Sequence, residues 1–210
     1  MQTTTVTLSK KSGKGITDGV ISELTAFFGV KPGCTEQLRQ AITRFDDMLH
    51  NLDPKANEKI GLRDSRMVLF DNGTRMLWTT TFETDWDPYL DDALLIVGVQ
   101  HFMDWMKYVT EAETLTSWVV SAGGADILSD TNSPEFLEVV QKNSSGLKAI
   151  IQSVQIPATG YWNALAATTI PEIRKAQRVE TAFQQVLDNP EAAEALQHPA
   201  LQPLLEEAAD

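Results

Sequence analysis

The side chains best suited to holding a small molecule are Arg66, Trp78, Thr80, Tyr89, His101, Tyr161, Trp162 and Asn163. An arginine offers a fixed fork of donors to an anion. Tyrosine and threonine hydroxyls and an asparagine amide orient a ligand by hydrogen bonds, while tryptophan supplies apolar wall. Such a set describes a mostly apolar pocket with a few converging polar groups. Its chemistry would be binding and positioning, with few titrating groups needed. The same aromatics would equally serve a packed core or a subunit contact.

Other chemistries find less support. His50, His101 and His198 stand far apart, with no second His or Cys at ligand spacing, so no metal site is expected. Cys34 is the only cysteine, which excludes an intrachain disulfide. It stands beside an expected helix start, where a thiol pKa falls, but the sequence provides no activating partner. There is no Gly-x-Ser-x-Gly nucleophile elbow, P-loop or dinucleotide fingerprint. His101, flanked by Phe102 and Trp105, is the one histidine that suits a haem axial ligand. Its plainer role is a helix-surface histidine beside core aromatics. No bound cofactor is expected.

Charge narrows the partners. The 210 residues carry 17 Lys and Arg against 29 Asp and Glu, a net charge of −12. Nucleic acid and anionic membrane surfaces need a basic footprint that this chain lacks. Hydrophobic residues make up 42%, enough for a packed core. No apolar run is long enough to span a bilayer, so no membrane insertion is expected. The opening residues lack the apolar stretch of a secretory leader, and with one cysteine this points to a cytoplasmic protein.

The elements that must position these residues follow from pattern. Val20–Val30 predicts a strand. Thr35 is the expected N-cap of a helix whose buried stripe is Leu38, Ala41, Ile42, Phe45, Leu49 and Leu52. Asp71-Asn72-Gly73 between the runs Arg66–Phe70 and Met76–Phe82 predicts a hairpin. Asp87-Pro88 opens a helix that Gly98 interrupts. Thr114–Ser121 is ambiguous, Gly123-Gly124 is a loop, and Ser133-Pro134 opens a helix to about Lys142. Leu147–Val154 fits helix or strand. Ala158–Ala167 predicts a last strand, and Thr169-Ile170-Pro171 opens a helix to Leu187. The domain plan is a flexible or irregular arm over residues 1–17 and a main domain over 18–187 with a helical insertion at about 98–157. An acidic helical tail follows over 188–210.

Strand, helix, hairpin, helix, strand is the ferredoxin-like order βαββαβ, an α+β fold. It predicts an antiparallel four-stranded sheet with helices on one face and extra helices inserted and at the C-terminus. The bare face would then line a cavity or meet a second copy, so a homodimer is expected. Only alternate residues of a strand face one side. The competing sets are Met67/Leu69 or Val68/Phe70, Trp78/Thr80 or Leu77/Thr79, and Tyr161/Asn163 or Trp162/Ala164.

The strand followed by Val30-Lys31-Pro32-Gly33 and an amphipathic helix resembles the dimeric α/β-barrel superfamily. That superfamily includes antibiotic-biosynthesis-type monooxygenases, chlorite-dismutase-like proteins and dye-decolorising peroxidases. The likeness covers about 20–97, with a weaker echo at 158–187. Arg63–Asp92 is also similar to a pattern in uncharacterised bacterial members, whose Tyr-Leu-Asp-Asp helix appears here as Tyr89-Leu90-Asp91-Asp92. This chain departs from that pattern at Arg63, Thr81 and Glu83, where His, Asn and Asp would stand. The Gly-x-x-Asp-Gly pattern of the peroxidases is absent. The resemblance implies a small-molecule-binding protein, such as a cofactor-independent monooxygenase or cyclase acting on an apolar aromatic or polyketide-like substrate. The alternatives are a non-catalytic binding or assembly protein whose barrel face is a dimer core, and a haem-binding oxidoreductase.

Overall fold

The computed structural model describes residues 7–8, 16–111, 113, 134–135, 138 and 144–209. Thr114–Ser121, Gly123-Gly124, most of the helix expected from Ser133 and most of the expected N-terminal arm lie outside them. The chain forms two compact units, one ending at Ala167 and one starting at Thr168.

The first unit is built on an antiparallel sheet. Its strands are β1 (Thr7–Leu8), β2 (Ile16–Asp18), β3 (Ile21–Gly29), β4 (Leu62–Phe70) and β5 (Arg75–Phe82), in the spatial order β1-β2-β3-β5-β4. The α+β class and the antiparallel sheet agree with the expectation. The β3-β5-β4 arrangement is the part of the ferredoxin-like order that the first three expected strands supply. The hairpin is as expected: Asp71, Asn72 and Gly73 all have positive φ, which their residue types tolerate.

The last strand is a correction. Tyr161, Trp162 and their neighbours form an irregular segment with turns. The edge of β3 that this strand was to fill is already taken. The Phe27 amide donates to the Val154 carbonyl at 3.0 Å, and the Ile156 amide donates to Thr25 at 2.8 Å. Ile16–Asp18 pairs with the start of β3. A strand needs free backbone partners, and on this edge β2 at one end and Val154–Ile156 further along stand where Ala158–Ala167 would have to pair.

Helices cover the other face. They are α1 (Thr35–His50), α2 (Pro54–Ile60), α3 (Trp86–Ala93), α4 (Val99–Met106) and α5 (Ser144–Ser153). Asp53 caps α2, accepting from the amides of Lys55 at 2.8 Å and Ala56 at 3.2 Å. The N-cap of α1 is Cys34 instead of Thr35, whose hydroxyl ties the helix start to the hairpin by donating to the Gly73 carbonyl. A π-helical turn at Leu94–Gly98 separates α3 from α4, and Gly98 has a φ of 95° that a β-carbon would oppose.

The core lies between helices and sheet. Leu24, Ala26 and Phe28 of β3 and Met76 and Trp78 of β5 are buried there. Trp105 packs edge-on against Phe28 and Trp78, and Phe45 against Phe102. Lys148 of α5 bridges to Asp91 of α3 at 2.8 Å. The second unit is α6 (Ile170–Leu187) followed by short helical turns to Glu207. A capping box opens α6: the Thr169 amide and hydroxyl each donate to Glu172 at 2.8 Å. No helix among the described residues is long and apolar enough to cross a membrane.

Candidate functional site

Because side chains alternate along each strand, the residues that face the helices leave a second set facing the other way. Register places that second set in rows across β3, β5 and β4: Glu23, Thr81 and Asp64; then Thr25, Thr79 and Arg66; then Phe27, Leu77 and Val68; then Gly29, Arg75 and Phe70. The first two rows are polar and the last two largely apolar. Arg75 crosses over Phe70 and Phe27, its guanidinium carbon 4.9 and 5.7 Å from the ring centres.

The polar rows floor an open basin of about 670 Å³. Ala158, Gly160 and Tyr161 form its wall. The wall is held by Glu23, which is buried. One Glu23 oxygen accepts from the amides of Ile16 and Ala158, and the other accepts from the Thr25 hydroxyl at 2.8 Å. The Val20 amide adds a 2.8 Å bond to the Ala166 carbonyl, and the Asn163 amide bonds Asp18 at 2.9 Å.

Asp64 reaches the basin because β4 is irregular. Leu62 pairs with Phe82, and Asp64 with the next residue, Thr81, leaving Arg63 as an extra residue between them. In a regular strand Leu62 and Asp64 would share a face. The bulge sends Leu62 toward the helices with Phe82 and turns Asp64 to the open face, where it accepts the Thr81 hydroxyl. Arg63 itself lies 2.6 Å from Glu83, and both side chains are nearly buried.

The structure divides the expected residues. Arg66 and Tyr161 line the basin, and Asn163 touches it through a 3.4 Å bond to the Tyr161 hydroxyl. Arg66, on the edge strand, also borders a second groove of about 320 Å³ against α1. Thr80 is buried toward the helices yet still borders the basin, while Trp78 and Tyr89 belong to the helix-facing core instead. The Trp78 indole donates to Ser65 at 3.1 Å. Thr80 donates to the Asp64 carbonyl at 2.9 Å and meets the Tyr89 hydroxyl at 3.1 Å, while Tyr89 stacks on Phe82. His101 is half-buried on α4, and Trp162 is 79% exposed; neither lines the basin. Among the described residues, no three His, Cys, Asp or Glu side chains group so as to hold a metal ion.

Comparison with protein-family models, curated proteins and solved structures finds no match for this chain. The site therefore stands on its own chemistry.

Burial raises the Tyr161 hydroxyl above its ordinary pKa, and the charges of Asp64, Asp18 and Glu23 push the same way. It stays protonated at neutral pH, a neutral donor at the basin wall. Burial is also the main cause at Tyr89, whose hydroxyl is pushed up to about 12. The basin is more polar than the apolar pocket the aromatic residues suggest. It offers two carboxylates, one guanidinium and several hydroxyls. Glu23, Thr25 and Asp64 carry no motif. Their only signal is a polar residue at alternate positions of strands otherwise rich in β-formers.

Proposed function

We propose that the open face of the sheet is a small-molecule binding site in a homodimeric α/β-barrel protein. The observation that carries this reading is the basin of about 670 Å³ opposite the helices, within the size range of ligand pockets and floored by converging polar groups. The apolar rows beside it support the dimer. Phe27, Leu77 and Phe70 are half-buried and Val68 is exposed, an arrangement a second copy would cover while leaving the polar rows free. A cofactor-independent monooxygenase or cyclase is the catalytic form of this reading. In it the basin would position the substrate and the neutral Tyr161 hydroxyl would donate a hydrogen bond to it.

Amide chemical shifts of the isotope-labelled protein, recorded against a panel of small polar and aromatic compounds, test the site. Binders are expected to move Thr25, Thr79, Thr81 and Asp64. If no compound moves them, or if side chains of a second copy fill the basin in a crystal, the face is a packed interface and the proposal fails.

A further inference from the structure

We infer that the basin takes an amphoteric ligand, one bearing both an amine and a carboxylate, held between Asp64 and Arg66; this rests on the binding site proposed above. Three charged groups line the basin, and they differ in what is left for a ligand. Glu23 has both oxygens engaged, by Ile16, Ala158 and Thr25. It holds the wall segment to the sheet. Asp64 receives the Thr81 hydroxyl on one oxygen, while its other oxygen has no hydrogen-bond partner among the described residues. Arg66 is exposed and, among the described residues, its side chain makes no hydrogen bond or ion pair.

Asp64 and Arg66 are two residues apart on one strand, so their side chains leave the same face about 7 Å apart. They do not pair with each other. A ligand carrying only an amine would gain Asp64 but meet the guanidinium nearby. A ligand carrying only a carboxylate would gain Arg66 but meet Asp64 and Glu23. One carrying both groups satisfies each partner with a charge-assisted bond and meets no uncompensated like charge. The planar fork of arginine suits a carboxylate at that end. The hydroxyls of Thr79 and Tyr161 remain for the ligand's middle.

The test titrates the full chain at low salt with γ-aminobutyrate, butyrate, n-butylamine and catechol, following amide shifts of Asp64 and Thr79. γ-Aminobutyrate is expected to bind at least roughly tenfold more tightly than butyrate or butylamine. Arg66→Gln is expected to remove that advantage, and because Arg66 is exposed the variant keeps the fold. Asp64→Asn is expected to do the same; should it unfold, Arg66→Gln alone decides. Butyrate or butylamine binding as tightly as γ-aminobutyrate, or catechol alone moving these amides, overturns the amphoteric ligand and leaves the binding site standing. No shift with any of the four probes overturns the amphoteric ligand, and no shift with the wider panel as well overturns the site.

Discussion

Arg63 Nε lies 2.6 Å from a Glu83 carboxylate oxygen, with side chains only 10% and 9% exposed. Arg63 is the extra residue of the β4 bulge, and the Glu83 amide bonds the Gly61 carbonyl at 3.0 Å. The ion pair thus fastens the irregularity that turns Asp64 toward the basin. Positions 63 and 83 complement each other in charge across the bulge.

Breaking this pair from one side strands the other charge in a nearly dry site. Arg63→Ala or Glu83→Ala is expected to lower stability by about 3–5 kcal/mol. Replacing both with apolar residues of similar volume is expected to recover most of that loss. Urea unfolding of the two single variants and the Arg63→Met, Glu83→Leu pair measures it. A double variant as unstable as the sum of the singles would show that the two residues act independently.

Tyr89 makes stability depend on alkaline pH. Its hydroxyl is pushed up to about 12, while an unfolded tyrosine titrates near 10. Below pH 10 both states hold the proton and the full contribution is present. Between about pH 10 and 12 the unfolded chain loses its proton first, so stability falls as pH rises. The fall approaches roughly 2–3 kcal/mol by pH 12. Tyr89→Phe removes this dependence at the cost of about 1 kcal/mol at neutral pH from the lost bond to Thr80. Thermal unfolding of both proteins from pH 8 to 11.5 should give a shallower slope for the variant.

Much of the first unit was legible, for local reasons. Asn72-Gly73 dictates a turn, and the stripe from Leu38 to Phe45 dictates a helix face, whatever surrounds them. Which side of the sheet Trp78 faces was not legible, because alternation permits either register until the helices choose one. Here Phe102 and Trp105 choose it, and Trp78 goes to the core with Thr80. Ala158–Ala167 has strand-like aromatics, but β3 had already spent its edge on Val154–Ile156. Asp64 was invisible as a site residue because a bulge is a matter of pairing between β4 and β5, which composition does not encode.

Gly19 is a point of close approach between the wall segment and the turn from β2 to β3. It turns β2 into β3 with a φ of 59°, and a β-carbon there would lie 2.2 Å from the Ala166 carbonyl oxygen. Gly19→Ala must therefore either move the wall or accept a severe clash, beyond the roughly 1 kcal/mol or more that a left-handed alanine costs. Loss of the Val20–Ala166 bond is the expected outcome, at about 2 kcal/mol in total. Hydrogen exchange should accelerate at Val20 and across 158–167 while β5 stays protected. Unchanged exchange at Val20 would mean that the wall does not depend on this contact.

Val68 decides whether the apolar rows meet a second copy. It is 39% exposed and lies beside Leu77 and Phe27 in the row next to the basin. In an isolated monomer an aspartate at so exposed a position changes stability little, within about 0.5 kcal/mol. In the proposed dimer the same carboxylate would be buried against apolar side chains without a partner, a cost of several kcal/mol per subunit. Val68→Asp is therefore expected to leave the monomer folded and shift the mass seen by light scattering from a dimer to 23.2 kDa. The comparison is made at micromolar concentration, and the native chain must run there as a dimer. If it runs as a monomer, the open face is left to the ligand alone. If the variant stays dimeric, the contact lies elsewhere and the apolar rows need another account.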